Sequence, residues 1–213
     1  MSMTQRGIIV VIFLVVVLPS LCFFMYYYIR NRNIRKYCKL LSDKYGLKFG
    51  TSSNGELKDH ALIEGKFKDL AVEIGSYKKE EGSRKIPLTY VKVNCVNPDH
   101  FRFVIAKRNM ANDVLYGNKA VLMNDREFDE KFIVNTNDYS WFTSILNFSV
   151  KFKLLQTMNI GLKGEFILNG NTMAYTEQGF ITRSIDLLRI ELVMHLLSEL
   201  ADELKTVRED VQK

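Results

Sequence analysis

Asn124–Asp138 reads NDREFDEKFIVNTND, and how its acids and aromatics are assigned decides what kind of domain this is. Asp125, Glu127, Asp129, Glu130 and Asp138 crowd around two phenylalanines, as acids do in a metal or catalytic site. A plainer assignment also accounts for them. Asn124 or Asp125 can cap a single helical turn by accepting from its free N–H groups. Phe128 and Phe132 are four apart and face the same way on that turn. Phe132-Ile133-Val134 then enters a strand, and Asn137 or Asp138 caps the next helix. The acids become caps, first-turn charges that suit the helix dipole, and solvated faces. A corner joining helix to strand is the mark of an α+β fold.

Working outward, the flanking segments carry the same mixture. C-terminal to the corner, helices are expected over Tyr139–Phe148 and Lys151–Thr157. Strands Leu162–Leu168 and Thr172–Thr176 flank Asn169-Gly170, a hairpin signal. A long last helix, Thr182–Arg208, places Ile185, Leu188, Leu192, Leu196, Leu200 and Leu204 on one stripe. N-terminal to the corner, strands are expected at His60–Phe67, Leu70–Tyr77, Thr89–Val96, Phe101–Lys107 and Lys119–Met123. In Leu70–Tyr77, Leu70, Val72 and Ile74 alternate with Ala71, Glu73 and Gly75, the period of a half-buried strand. Thr51–Gly55 and the charged run Lys78–Lys85 read as loops.

The N-terminus is of another kind. Ile8–Ile29, IIVVIFLVVVLPSLCFFMYYYI, is 22 residues without a charge. As a helix it would match a hydrocarbon core of roughly 30 Å. Phe23, Phe24, Tyr26, Tyr27 and Tyr28 sit where an interfacial aromatic belt would. Neither a short signal-peptide core with a small-residue cleavage site nor a lipidation signal (Leu21 precedes Cys22) is present. Arg6 alone precedes the span, whereas Arg30, Arg32, Arg35, Lys36, Lys39 and Lys44 follow it. The expectation is a single-pass cell-membrane protein, N-terminus outside and C-terminal domain cytoplasmic. The expected organisation is a tail and transmembrane helix at 1–29, a basic juxtamembrane helix at 30–45, and an α+β domain at 46–213. That domain should be a mostly antiparallel sheet packed against helices.

Charge narrows the partners. The chain carries net +6. Residues 1–45 hold seven Lys/Arg and one Asp, so the whole excess lies there; residues 46–213 hold 23 of each sign. This is a topology signal rather than a nucleic-acid footprint. Arg30, Arg32, Arg35, Lys36 and Lys39 are candidates for contact with anionic lipid headgroups, at about 1 kcal/mol per basic residue. The lipid bilayer is therefore one expected partner, and another protein or a second copy the other.

Motifs for chemistry are not evident. Cys22, Cys38 and Cys95 fit neither a disulfide framework nor a zinc spacing. His60, His100 and His195 lie far apart. No G-x-S-x-G, Walker loop or dinucleotide fingerprint occurs. No catalytic, cofactor-binding or metal residue is assigned, and no cofactor is expected. Two function classes remain. One is a membrane-tethered, non-enzymatic interaction or accessory domain. The other is a membrane-anchored, cytoplasm-facing hydrolase or lipid-interacting enzyme whose dispersed site would converge around His60, His100 or Asp129.

REFDEKFIVNTND, followed by a helical stretch ending FKLLQTM and a strand hairpin, resembles an uncharacterised bacterial domain family whose members are often membrane-anchored. Glu127, Phe128, Phe132, Val134 and Asp138 carry the resemblance; Lys131 and Asn135 stand where the family pattern has aromatics. The resemblance spans about residues 40–205. It implies a tethered α+β domain in which these five residues are structural, and no activity.

Overall fold

The computed structural model describes Val15 and residues 17–51, 61–97 and 100–211. The chain opens with α1 (Leu18–Tyr45), then β1 (Lys48–Thr51), β2 (Ala61–Phe67), β3 (Leu70–Glu81), β4 (Arg84–Asn94) and β5 (Phe103–Lys107). Next come α2 (Met110–Tyr116), a 3-10 turn at Gly117–Lys119, α3 (Arg126–Lys131), β6 (Phe132–Thr136), α4 (Tyr139–Ile145) and α5 (Phe148–Asn159). β7 (Glu165–Asn169), β8 (Thr172–Gln178) and α6 (Ser184–Val211) complete it. Among the described residues eight strands form one sheet, ordered β1-β2-β3-β4-β8-β7-β5-β6, with every neighbouring pair antiparallel. The fold is α+β, with a long C-terminal helix, as the residue patterns imply.

One face of the sheet is covered by helices. Val72, Ile74, Val91, Val93, Phe103, Ile105, Phe166, Leu168, Met173 and Tyr175 alternate inward and are buried. Against them lie Val193, Met194, Leu197, Leu200 and Leu204 of α6, Phe142 and Ile145 of α4, and Val150 and Leu154 of α5. The leucine stripe of α6 is apolar throughout, but only its C-terminal half is covered. Leu196, Leu200 and Leu204 are buried, whereas Ile185 and Leu188 remain exposed.

The corner is built by its side chains. Asp125 caps α3, accepting from Phe128 N at 3.2 Å, and Asp138 caps α4, accepting from Trp141 N at 3.0 Å. Asp129 accepts from the backbone N–H of Met123 at 2.9 Å. Arg126–Glu130 and Glu127–Lys131 are exposed i,i+4 pairs. Phe128 and Phe132 stack with centroids 4.9 Å apart, and Val134 is buried in β6.

Several boundaries differ from the sequence patterns. Lys119–Met123 is not a strand: Val121 makes one bridge to Val134, and Asn124 turns the chain at φ 57°. Lys78–Lys85 is not a loop. β3 and β4 continue through it to a two-residue turn, with Gly82 at φ 61° as such turns require. The β7–β8 turn is Gly170-Asn171, one residue later than expected, since Asn169 pairs with Thr172. The helical stretch after the corner is broken at Asn147, whose side chain caps α5 by accepting from Val150 N at 3.0 Å. Neither β1 nor α2 was visible in the residue pattern. The expected loop at Thr51–Gly55 and the start of the first expected strand at His60 lie outside the described residues, apart from Thr51 at the end of β1.

Candidate functional site

The distinctive region is the end of the domain from which α1 departs, and the contacts of α1 define it. At its C-terminal end Tyr45 donates to Glu191, and its hydroxyl lies 3.0 Å from His195 Nε2. The Tyr45 and His195 rings both lie edge-on to Phe67, at 5.2 and 4.8 Å. Lys44 pairs with the same Glu191. Burial and the carboxylate of Glu191 push the Tyr45 phenol up. Burial, with Lys68 nearby, holds His195 below its ordinary value. Fifteen residues earlier, about 22 Å along the helix, the Arg30 guanidinium lies 5.4 Å from the centre of the Phe180 ring and 4.9 Å from that of Tyr27. Phe180 belongs to the loop between β8 and α6. Between these points Cys38, Leu41 and Ser42 are buried, so this half of α1 is part of the core.

β3 runs the other way. It begins beside Phe67 at the β2–β3 turn and passes the end of β8 at Tyr77, where Leu88 pairs with Gln178. It then extends four residues further, about 13 Å, to Glu81. The β3–β4 hairpin tip and the free half of α1 therefore leave the domain at one end. Along that free half, Leu18, Leu21, Phe23, Phe24, Met25, Tyr26, Tyr27, Tyr28 and Ile29 are all exposed.

Two concavities lie here. One, about 650 Å³, runs beside α1 and is lined by Phe24, Tyr27, Tyr28, Asn31, Arg32 and Arg35. The other, about 590 Å³, lies at the stem of the hairpin on the sheet face opposite α4, α5 and α6, beside α2. Tyr77, Ile86, Leu88, Ile167, Leu115 and Tyr116 give it an apolar wall. Tyr116 donates to Glu165 at 2.8 Å, and burial with that carboxylate pushes its phenol up to about 12.

Beneath this end, on the helix side, sits a buried ion cluster. Arg189 of α6 is 2% exposed and forks onto Glu177 of β8, Nε to Oε2 at 2.7 Å and Nη2 to Oε1 at 2.8 Å. Its Nη2 also reaches Asp186 Oδ1 at 2.9 Å. Tyr175 donates to Glu177 Oε2 at 2.7 Å and accepts from Gly164 N at 3.1 Å. Burial disfavours the charge of Asp186, but hydrogen bonds from Arg183 and Arg189 outweigh it and hold its carboxyl far below the usual range. Burial and Glu177 push the Tyr175 phenol up. Each carboxylate oxygen of Glu177 and Asp186 is already engaged, so the cluster clasps α6 to the sheet. Its signal was present in the sequence. Arg189 stands four residues from Ile185 and from Val193 on an otherwise apolar stripe, and Glu177 continues the inward alternation of Met173 and Tyr175.

The other candidate residues are dispersed. Arg32, Arg35, Lys36 and Lys39 are exposed along α1, whereas Arg30 is half-buried against Phe180. His100 lines a shallow hollow with Asn97, Gly170 and Asn171, and Asp129 is spent on backbone N–H groups at the corner. His60 lies outside the described residues. Among the described residues no group of three or more His, Cys, Asp or Glu side chains is placed to hold a metal. Cys38 and Cys95 are buried, which pushes their thiols up to about 12 and about 11.

The expected membrane span lies partly outside the described residues, which lack 8–14 and 16. No helix among the described residues is long and apolar enough to cross a membrane. The apolar portion of α1 ends at Ile29, and its remaining residues are largely charged or polar.

No family model matches the chain, and no curated protein matches it. A solved structure does. The crystal structure of the mycobacterial trehalose monomycolate transport factor A, TtfA, superposes with a TM-score of 0.51 at 10% identity. The match covers 82% of this chain and 94% of that one. At this identity the likeness is one of fold.

Proposed function

We propose that the protein is a membrane-tethered accessory domain with a lipid-related role, acting through contacts rather than catalysis. The observation that carries this reading is α1 itself. One continuous helix has its C-terminal half built into the core and its N-terminal half, an uncharged and mostly apolar and aromatic exposed run, projecting from it. Such a run is costly in water and is satisfied by hydrocarbon and the headgroup interface. Ile8–Ile29 has the length to span, and the basic residues that follow favour a domain on the cytoplasmic side. Arg32, Arg35, Lys36 and Lys39 then meet anionic headgroups. The structural likeness to a trehalose monomycolate transport factor supports the lipid connection. The family signature, Glu127 to Asp138, belongs to the corner and has a structural role.

The test is flotation of the full chain with lipid vesicles, beside a chain lacking residues 8–29. Flotation of the first at high salt, with the second left in the soluble fractions, is the expected result. A full chain that stays soluble, or a shortened chain that floats equally well, would overturn the tether. Crosslinking of the full chain in its native membrane would then identify the protein it assists.

A further inference from the structure

The β3–β4 hairpin tip has no work to do inside the domain. Residues Lys78–Lys85 are all exposed. They hold four basic residues (Lys78, Lys79, Arg84, Lys85) against two acidic ones (Glu80, Glu81). Lys85 pairs with Glu80 at 3.0 Å. Lys78, Lys79 and Arg84 make no ion pair or hydrogen bond with any described side chain. The hairpin is paired to its tip, since its ladder continues to Glu81–Arg84 beside the turn at Gly82. It extends about 13 Å past the end of β8. It points the way residues 18–29 of α1 leave the domain, because β3 and α1 run in opposite senses between the same two landmarks: Phe67 at one end and the β8–α6 connection at the other.

We infer that the β3–β4 hairpin tip is a second membrane contact, recognising the anionic headgroup surface through Lys78, Lys79 and Arg84. The inference rests on the tether proposed above. Two contacts, the root of α1 and the hairpin, prevent the domain from swinging about its tether. They hold the sheet edge-on to the bilayer, with the groove at the hairpin stem opening at the headgroup layer. The charge pattern selects the partner: unpaired cations on a projecting finger, carried by a domain whose own charge is balanced, complement a negatively charged plane.

The test uses the full chain reconstituted in vesicles of phosphatidylcholine with or without phosphatidylglycerol. Ser83→Cys, in a Cys22→Ser background that leaves only buried thiols, carries a polarity-sensitive fluorophore at the turn. The expected result is blue-shifted emission, quenched by lipid-borne quencher, in the anionic vesicles only, and reversed by salt. Combining Lys78→Glu, Lys79→Glu and Arg84→Glu should lower the docked population at least about tenfold. Glu80→Gln with Glu81→Gln should raise it. Emission that stays aqueous in anionic vesicles while the chain floats overturns the hairpin contact and leaves the tether standing. A chain that fails to float at either composition overturns both. Binding of the tip to a copurifying protein, with no response to lipid, also overturns it.

Discussion

Arg189 is the residue whose environment departs furthest from what its chemistry prefers. A guanidinium 2% exposed is tolerable because Glu177 and Asp186 supply opposite charge at hydrogen-bond distance and Tyr175 completes Glu177. Removing one partner of such a cluster leaves an uncompensated buried charge. Arg189→Met should therefore lower the unfolding free energy at pH 7 by about 3–5 kcal/mol, measured by urea denaturation. The pH dependence has a definite sign. Asp186 titrates lower in the folded protein than in the unfolded chain, so its contribution is complete above the unfolded value, about 3.9, and is lost as pH falls through the folded one. The gap between wild type and Arg189→Met should narrow below about pH 4. A gap constant down to pH 3 would mean that packing, not charge pairing, is what Arg189 contributes.

At the scale of elements, the close approach of β7 to β8 is set by one glycine. A Cβ on Gly164 would stand 2.0 Å from the carbonyl oxygen of Thr176, a backbone atom that cannot step aside. Thr176 pairs with Glu165, so relief would open the first rung of the β7–β8 ladder and the Gly164 N–H bond to Tyr175. Gly164→Ala should cost well over the roughly 1–2 kcal/mol expected for Gly82→Ala, where the constraint is positive φ with open space around it. Urea midpoints of the two variants compare them directly; equal midpoints would show that the strand end yields freely. The same scale explains where the residue patterns went astray. Met110–Tyr116 is only seven residues long and leaves Val114 and Leu115 exposed, and Asn109 starts it by capping Asn112 N at 2.9 Å. Lys78–Lys85 looks like a loop because its charges mask strand geometry. Its pairing is decided by the register of β3 on β4, which begins in the buried part of the sheet.

Across the whole molecule, α1 belongs to two environments. Cys38 and Leu41 are buried with Leu47, Ala61 and Ile63, and Ile34, Tyr37 and Tyr45 pack against the same core. A chain of residues 30–213 should keep the stability of the domain, whereas residues 47–213 should lose more than about 3 kcal/mol, since each buried apolar side chain removed contributes roughly 1.5–3. Thermal and urea unfolding of the two fragments decide this. Equal stability would make the helix a passive stalk.

The sequence by itself determined the elements whose cause is local: the apolar run of Ile8–Ile29 and its basic flank, the capped corner at Asp125–Asp138, the alternation in β3 and the stripe of α6. Each is written in neighbouring residues, where capping, periodicity and charge act over a few positions. The dispersed features were decided only by tertiary structure. Glu177 and Arg189 are twelve apart in the chain, and Arg30 and Phe180 are far more distant. The hairpin Lys78–Lys85 and the root of α1 share one end only because β3 and α1 cross the molecule in opposite senses. Strand order and helix direction follow from burying the apolar faces together, a condition on the whole chain that no single stretch contains.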